Sequence, residues 1–333
     1  MSARERTNQQ DVARTQPRKL LGLGFSFGRV AASHLPGSAR LACWSRRLAE
    51  TNFSIGLPYR HSRPNILFRL MIDEEAIATV RAELSRRFIS GHGLEIGGGT
   101  RPFPVPTGAK VSYGDIRDPV SLKSYFKTDA VQSGEPIDAQ TLAGIADASL
   151  DFVISAHVIE HLRDPIGAIV NAIRVLEHGG IHLLVVPDMR RTFDRDRPET
   201  SVAHVLADFS DGGIGTCRDG YEEHLRYVHP ILTGQRYSEA EIQRQATEAA
   251  RLWPKYGAHF HAWTQAGFEA LLHAASDLVP FRLIDTASVV NENLFVLRKI
   301  SAIEFRTRRT WRRITGGLHS ISSDNLPSQR CTG

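Results

Sequence analysis

The chain has 333 residues, 41% hydrophobic and 23% charged, with a formal net charge of +5. That is enough apolar material for one large domain with additions, and the three scattered cysteines, Cys43, Cys217 and Cys331, exclude a disulfide framework and point to a reducing compartment, the cytoplasm. The basic excess sits at the ends: residues 1–50 hold nine Lys/Arg against three Asp/Glu and residues 301–333 six against two, which leaves −5 for residues 51–300 and argues against a nucleic-acid-binding body.

In chain order, residues 1–50 read as a basic, flexible segment, rich in Arg and Ser, with the composition of an organelle transit peptide or a flexible bacterial leader. Residues 20–32 are apolar but interrupted by Arg29, and are too short to span a bilayer. The body of the protein is expected over 51–300. Its first sharp signal is Gly93-Leu94-Glu95-Ile96 followed by Gly97-Gly98-Gly99. The apolar run predicts a buried parallel strand, and the glycines a tight turn where backbone can approach a ligand at the strand's carboxyl end. A dinucleotide fingerprint would need glycine where Pro102 stands, and a phosphate loop would need Gly-Lys-Ser/Thr where Thr100-Arg101-Pro102 stand. The acid before the glycines suits a cationic ligand, such as the sulfonium and amino groups of S-adenosylmethionine. A glycine turn with no ligand is the bland alternative. Pro102, Pro104 and Pro106 then predict that any helix after the turn is short, displaced or absent.

Residues 109–113 predict a second strand leading to Asp115, an acid placed 20 residues after Glu95 to accept hydrogen bonds from ribose hydroxyls. Asp138 is a further acid, suited to an adenine amino group. Residues 150–155 predict another strand, followed by His157, Glu160 and His161, which share one face if this is a helical turn. Residues 165–176 have helical period, with Asp164 as N-cap, Pro165 in the first turn and Gly179-Gly180 as the stop. Residues 181–187 predict a strand. From about 190 to 262 the pattern is irregular and helical, an inserted cap over the crevice, and it holds His224, His229, His259 and His261. His259 and His261 alternate faces if extended, so one of them faces the site. Thr264 predicts the N-cap of a following helix. Residues 281–285 and 294–299 read as closing strands. Residues 301–333 read as a basic, flexible tail in which Arg306, Arg308, Arg309, Arg312 and Arg313 surround Trp311.

Taken together, Glu95, Gly97 and Gly99, then Asp115 and Asp138, then Asp151-Phe152-Val153, Glu160-His161-Leu162 and Arg174-Val175-Leu176-Glu177-His178-Gly179-Gly180 resemble the class I S-adenosylmethionine-dependent methyltransferases of the small-molecule type over about 94–187. The resemblance implies an α/β fold with a Rossmann-like, seven-stranded, mostly parallel sheet whose last strand is antiparallel, here with a mainly helical cap. It implies S-adenosylmethionine held by Glu95, Gly97, Gly98, Gly99, Asp115, Asp138, Ala139, Ser155 and His157, and methyl transfer to a small molecule or glycan, at oxygen. The candidates for handling the acceptor's proton are His157, His229, His259 and His261. Some metal-assisted O-methyltransferases carry Glu-x-x-Glu-His where this chain has His157, Glu160 and His161; the first acid is missing, so no metal is expected. A dinucleotide-dependent oxidoreductase and a non-catalytic S-adenosylmethionine-binding subunit are the alternatives.

Overall fold

The computed structural model describes residues 64–254 and 257–310. The N-terminal segment 1–50 with its apolar stretch 20–32, Cys43, Trp311, Arg312, Arg313 and Cys331 lie outside them.

Six strands form one sheet: β1 (His92–Ile96), β2 (Lys110–Gly114), β3 (Leu150–Ala156), β4 (Leu176–Pro187), β5 (Phe281–Val289) and β6 (Glu292–Lys299). Their order is β2-β1-β3-β4-β6-β5. The first four run parallel; β6 is antiparallel to both β4 and β5. The interior strands are apolar at successive positions because both faces are covered. Val153, Leu184, Val186, Phe295 and Leu297 face one cluster, with Ile169 and Ile173 of α3 (Pro165–Val175) and Phe268 and Leu272 of α8 (Gln265–Ala275). Phe152, Ile154, Leu183, Val185, Leu294 and Val296 face the other, with Leu84 of α1 (Pro64–Phe88) and Phe103.

The remaining helices are α2 (Pro119–Phe126), α4 (Val202–Asp211), α5 (Cys217–Glu223), α6 (His229–Thr233) and α7 (Glu239–Arg251), with a π-helical turn, His224–Val228, joining α5 to α6. Helices α4 to α7 lie between β4 and α8. Within that stretch Tyr221, Leu225, Val228, Ile242, Ala246 and Phe260 bury themselves in a cluster of their own. Cys217, in the same cluster, is a free thiol. Asp164 and Thr264 cap α3 and α8 as expected, each accepting from the backbone N–H three residues on.

Three local expectations need correcting. The sheet has six strands among the described residues, not seven. The segment that would form the outer strand makes a single parallel bridge, Asp115 to Pro136, because Pro136 offers no N–H to extend the ladder. Gly179-Gly180 do not stop a helix. Helix α3 ends at Val175, Leu176 pairs with Leu150 and Ile181 with Phe152, and residues 177–180 loop out as a bulge in β4 with Gly179 at φ +81°. The tail expected from 301 begins with a helical segment, 302–310, whose Arg308 donates to the Phe281 carbonyl and the Ser276 hydroxyl.

Among the described residues two ion pairs join α1 to the sheet, Arg87 with Asp285 and the more buried Arg81 with Glu292. Arg81 Nε and Nη2 donate to Glu292 Oε2 and Oε1 at 2.9 and 2.6 Å, and His157 Nε2 donates to Glu292 Oε1 at 2.9 Å. Burial alone would raise the Glu292 pKa. The His157 hydrogen bond and the Arg81 charge reverse that and hold it at about 2. Ionised Glu292 therefore contributes stability that is full above its unfolded-state pKa and is lost as pH falls through its folded one. Glu292→Gln should lower stability by roughly 3 kcal/mol at neutral pH. In urea melts, the gap between wild type and variant should begin to close below about pH 5. A gap that is constant from pH 7 to pH 3 would show that ionised Glu292 is not the source.

Candidate active site

The site is built at the carboxyl ends of β1, β2, β3 and β4. Glu95, in β1, is buried, with one carboxylate oxygen accepting from the Phe103 N–H at 2.8 Å. Its other oxygen, Oε2, is buried without a hydrogen-bond partner, and burial raises the pKa of the group to about 7. The proline run explains the Phe103 contact: instead of a helix, an extended segment crosses the end of the sheet and gives its amide to Glu95. Gly97 and Gly99 have φ of +72° and +52°, the left-handed region that only glycine occupies without strain. Gly97 donates to the Gly114 carbonyl at 2.8 Å, which holds the turn beside the end of β2. A Cβ on Gly98 would lie 3.2 Å from both Glu95 and Tyr113, and one on Gly99 2.9 Å from Phe126. The cradle is thus as small as the backbone permits.

Asp115 follows β2 and is buried. Its Oδ1 accepts from the Arg117 N–H and guanidinium at 3.0 and 3.2 Å, and Arg117 lies over the Tyr125 ring. The Asp115 carbonyl accepts from Ile137, so Asp138 comes next to this corner; its own carboxylate accepts from the Gln140 N–H at 2.9 Å. Ala139 packs against the core, and Ser155 Oγ lies 3.3 Å from His182 Nε2 inside the sheet, where burial lowers the His182 pKa to about 3.

The second half of the site lies beyond β3. His157 has φ +54°, a strained conformation for a non-glycine residue, and sits before the short 3₁₀ turn Ile159–His161 rather than on a helix with Glu160 and His161. The three still converge: His157 Nδ1 and His161 Nε2 lie 3.8 and 3.9 Å from Glu160 Oε1. Glu160 is 1% exposed, and neither carboxylate oxygen has a hydrogen-bond partner. Burial raises its pKa, against the charges of His259 and His157.

The cap supplies the fourth member. The Glu160 carbonyl accepts from the backbone N–H of Phe260 and His261, which lays residues 258–261 beside the turn. His161 Nδ1 donates to the Ala258 carbonyl at 2.9 Å, and the rings of His161 and His259 meet edge to face at 4.5 Å. His259 Nδ1 donates to Asp194 Oδ2 at 2.6 Å. Burial would lower the His259 pKa, but Asp194 raises it; burial would raise Asp194, but His259 and Arg197 hold it at about 2. Arg197, fully buried, donates to Asp194, to Glu223 and to the carbonyls of His259 and Phe260.

The other cap histidines are engaged elsewhere. His261 Nε2 donates to Asp208 at 2.9 Å, and its ring stacks on Trp263. His229 stacks on Tyr237 and lies 3.2 Å from the Thr233 hydroxyl. His224 Nδ1 accepts weakly from the His259 N–H at 3.4 Å, and burial lowers its pKa to about 3. Sequence reasoning missed Arg81 and Glu292 as parts of this site, and left Asp194 and Arg197, in the charged stretch 187–198, open between a solvated loop and a polar substrate wall. The dense charge of residues 188–197 was the one signal for the last two, since a buried strand led straight into it.

Residues 94–184 match the family model described as a methyltransferase domain. By that match this region is a methyltransferase domain. No curated protein matches the chain. Among solved structures, the chain is similar to a S-adenosylmethionine-dependent, possible histamine N-methyltransferase from Thermotoga maritima, at 15% identity and TM-score 0.39, covering 71% of this chain and 95% of that one. It is similar also to a putative methyltransferase from Bacillus halodurans, at 14% identity and TM-score 0.37, covering 67% and 99%. No described helix is long and apolar enough to cross a membrane.

The residues of the methyltransferase fit its cofactor. Glu95 Oε2 is an orphaned acceptor suited to a cationic group, Asp115 is an acid at the end of the second strand, and the glycine turn leaves room for close approach. Gly97→Val should abolish binding of S-adenosylhomocysteine, because φ of +72° is closed to a β-branched residue. Asp115→Ala should weaken binding roughly 10- to 150-fold through lost charge-assisted hydrogen bonds. Calorimetry measures both, and unchanged affinity in the two variants would remove the turn from the cofactor site.

Proposed function

We propose that this methyltransferase acts in the cytoplasm on a hydroxyl oxygen of a small molecule or glycan, between the ends of β3 and β4 and the cap. One observation carries the reading. His259, aligned by Asp194, is brought from the cap to within ring contact of His161 and beside the buried Glu160. Methylation of a hydroxyl needs a centre that handles a proton, and these three residues form one next to the cofactor half of the site. The net −5 of residues 51–300 and the polar lining favour such an acceptor over a nucleic acid.

When bound, S-adenosylmethionine supplies a methyl group already activated on a sulfonium. The protein's part is then alignment and proton handling. Held by the glycine turn and the acids beside it, the cofactor would supply the methyl group, and the acceptor's hydroxyl proton would leave through the Glu160–His161–His259 centre. Holding oxygen, carbon and sulfur in line supplies up to about 7–11 kcal/mol in favourable cases. Glu95, Asp115 and Asp138 hold the donor side. His157 is tied to Glu292 by its Nε2, which fixes the ring between the two halves of the site.

The test is transfer of labelled methyl to metabolites of a cell extract, with the product identified by mass spectrometry. His259→Ala should lower turnover roughly 10²- to 10⁴-fold while leaving S-adenosylhomocysteine affinity unchanged. His229→Ala, whose ring packs inside the cap, should leave turnover near wild type. Equal activity of wild type and His259→Ala on the identified acceptor, or a product methylated at nitrogen or carbon, would refute the reading.

A further inference from the structure

Outside the reacting centre, a second group of nitrogen and oxygen atoms is gathered between α4 and the segment that leads to α8. His204 and Asp208 stand four residues apart on α4, so both side chains leave the same face of the helix. His261 is laid against that face. Asp208 and His261 are buried, and His204 is partly exposed. Asp208 Oδ2 lies 2.9 Å from His261 Nε2 and 3.5 Å from His204 Nε2, and the three atoms all fall within 4.8 Å of one another. Nitrogen and oxygen ligands about 2.0–2.2 Å from a tetrahedral ion stand roughly 3.3 Å apart, so these separations are close to those of a coordination shell. The arrangement is also held from outside. The Thr216 hydroxyl donates to Asp208 Oδ1, which leaves Oδ2 to the imidazoles. The Ser201 hydroxyl accepts from the His204 N–H at 3.2 Å and fixes the start of α4. Thr200 donates its N–H to the Ala262 carbonyl and accepts from the Ala262 N–H through its hydroxyl, which stitches the neighbour of His261 to the same helix start.

We propose that His204, Asp208 and His261 bind one divalent transition-metal ion of the zinc class, through two imidazole nitrogens and one carboxylate oxygen. The site shares no residue with Glu160, His161 and His259, and the proposal does not rest on the preceding reading of function. Two imidazoles and a carboxylate favour zinc or cobalt over magnesium or calcium. The exposed side of His204 gives the ion a way in and leaves a water the fourth position. The ion's work here is structural. It ties α4 to the segment that carries His259 two residues before His261, and so fastens the cap beside the reacting centre.

A plain hydrogen bond between His261 and Asp208 is the simpler account, and it leaves His204 unexplained. The His204 contact at 3.5 Å is too long for a good hydrogen bond, yet the ring is brought to the same oxygen and meets the His261 ring edge to face at 5.6 Å. His261 Nδ1 is buried without a hydrogen-bond partner, so no bond from behind pins the ring's proton to one nitrogen. The proton moves to Nδ1 when Nε2 takes the ion. The sequence gave no hint of the set, because His261 lies 53 residues after Asp208.

The full-length protein, stripped with a chelator and dialysed, is titrated with Co²⁺ in the absence of any methyl donor or acceptor. One cobalt per chain should bind, with visible absorption bands of a low-coordinate nitrogen/oxygen site, and Zn²⁺ should displace it where Mg²⁺ does not. His204→Ala, at a partly exposed position, should abolish the bands. His204→Cys should keep cobalt uptake and add a thiolate-to-cobalt charge-transfer band that the wild type lacks. His229→Ala should keep the wild-type spectrum, with circular dichroism confirming the fold of all three variants. Zn²⁺ should raise the Tm of the wild type and leave that of His204→Ala unchanged. No stoichiometric uptake by the wild-type chain overturns the proposal. So do wild-type bands in His204→Ala, bands lost in folded His229→Ala, or a His204→Cys spectrum without the thiolate band. Because the readout is a metal spectrum, failure here leaves methyl transfer to oxygen standing, and failure to find a methylated product leaves the metal site standing.

Discussion

Arg197 makes the interactions on which the junction of cap and sheet depends. A guanidinium with 0% side-chain exposure carries a large desolvation cost, which is offset only if its donors are met in good geometry. Here Nη1 and Nη2 are met by Asp194, Glu223 and the carbonyls of His259 and Phe260, while Nε is buried without a hydrogen-bond partner. Those four acceptors come from three separate stretches of chain: the loop after β4, the end of α5, and the segment leading to α8. Satisfying one side chain therefore fixes where the cap meets the sheet. It also fixes the height and rotation of His259, since the same residue gives its carbonyl to Arg197 and its ring to the Arg197-bound Asp194. The placement of His259 is thus inherited from a charge buried one layer behind it.

The cofactor half is organised on a different principle. Its acids stand at the ends of parallel strands, so their spacing in space follows from strand pairing and not from side-chain networks. The register Ile96 to Gly114 puts Asp115 just beyond the glycine turn, and the single bridge from Asp115 to Pro136 brings Asp138 to the same corner. Where a helix could have offered its N-terminal amides, the Pro102–Pro106 stretch offers one, Phe103 N–H, to Glu95. The two halves are joined by His157, whose strained backbone at the end of β3 turns its ring onto Glu292.

The extent to which the sequence could be read follows from these principles. The stretch from Leu94 to Pro187 was legible because each candidate residue lies within a few positions of an apolar strand, and strand ends are where ligands bind in such sheets. The capping residues Asp164 and Thr264 were legible for the same reason, being local chemistry. Gly179-Gly180 were misread because a glycine pair after a helical stripe stops a helix as readily as it makes a bulge; only pairing with β3 decides. The seventh strand failed at Pro136, which cannot donate to a ladder. Contacts such as Arg81 with Glu292, 211 residues apart, and His259 with Asp194, 65 apart, leave no periodic trace. They are decided by tertiary packing alone.

The position of β6 has a consequence for how the protein comes into being. This strand, the last in the described chain, does not sit at the border of the sheet but between β4 and β5, and Leu294, Phe295, Val296 and Leu297 are all fully buried there. During synthesis, every element from β1 to β5 leaves the ribosome before the strand that fills the gap. Until Glu292–Lys299 arrives, β4 presents an unpaired apolar edge, and β5 has no neighbour to hold it. The nascent chain must therefore wait, open along its middle, for residues 292–299. Folding is committed late, and the interval before it is the period in which chaperones matter most to this chain.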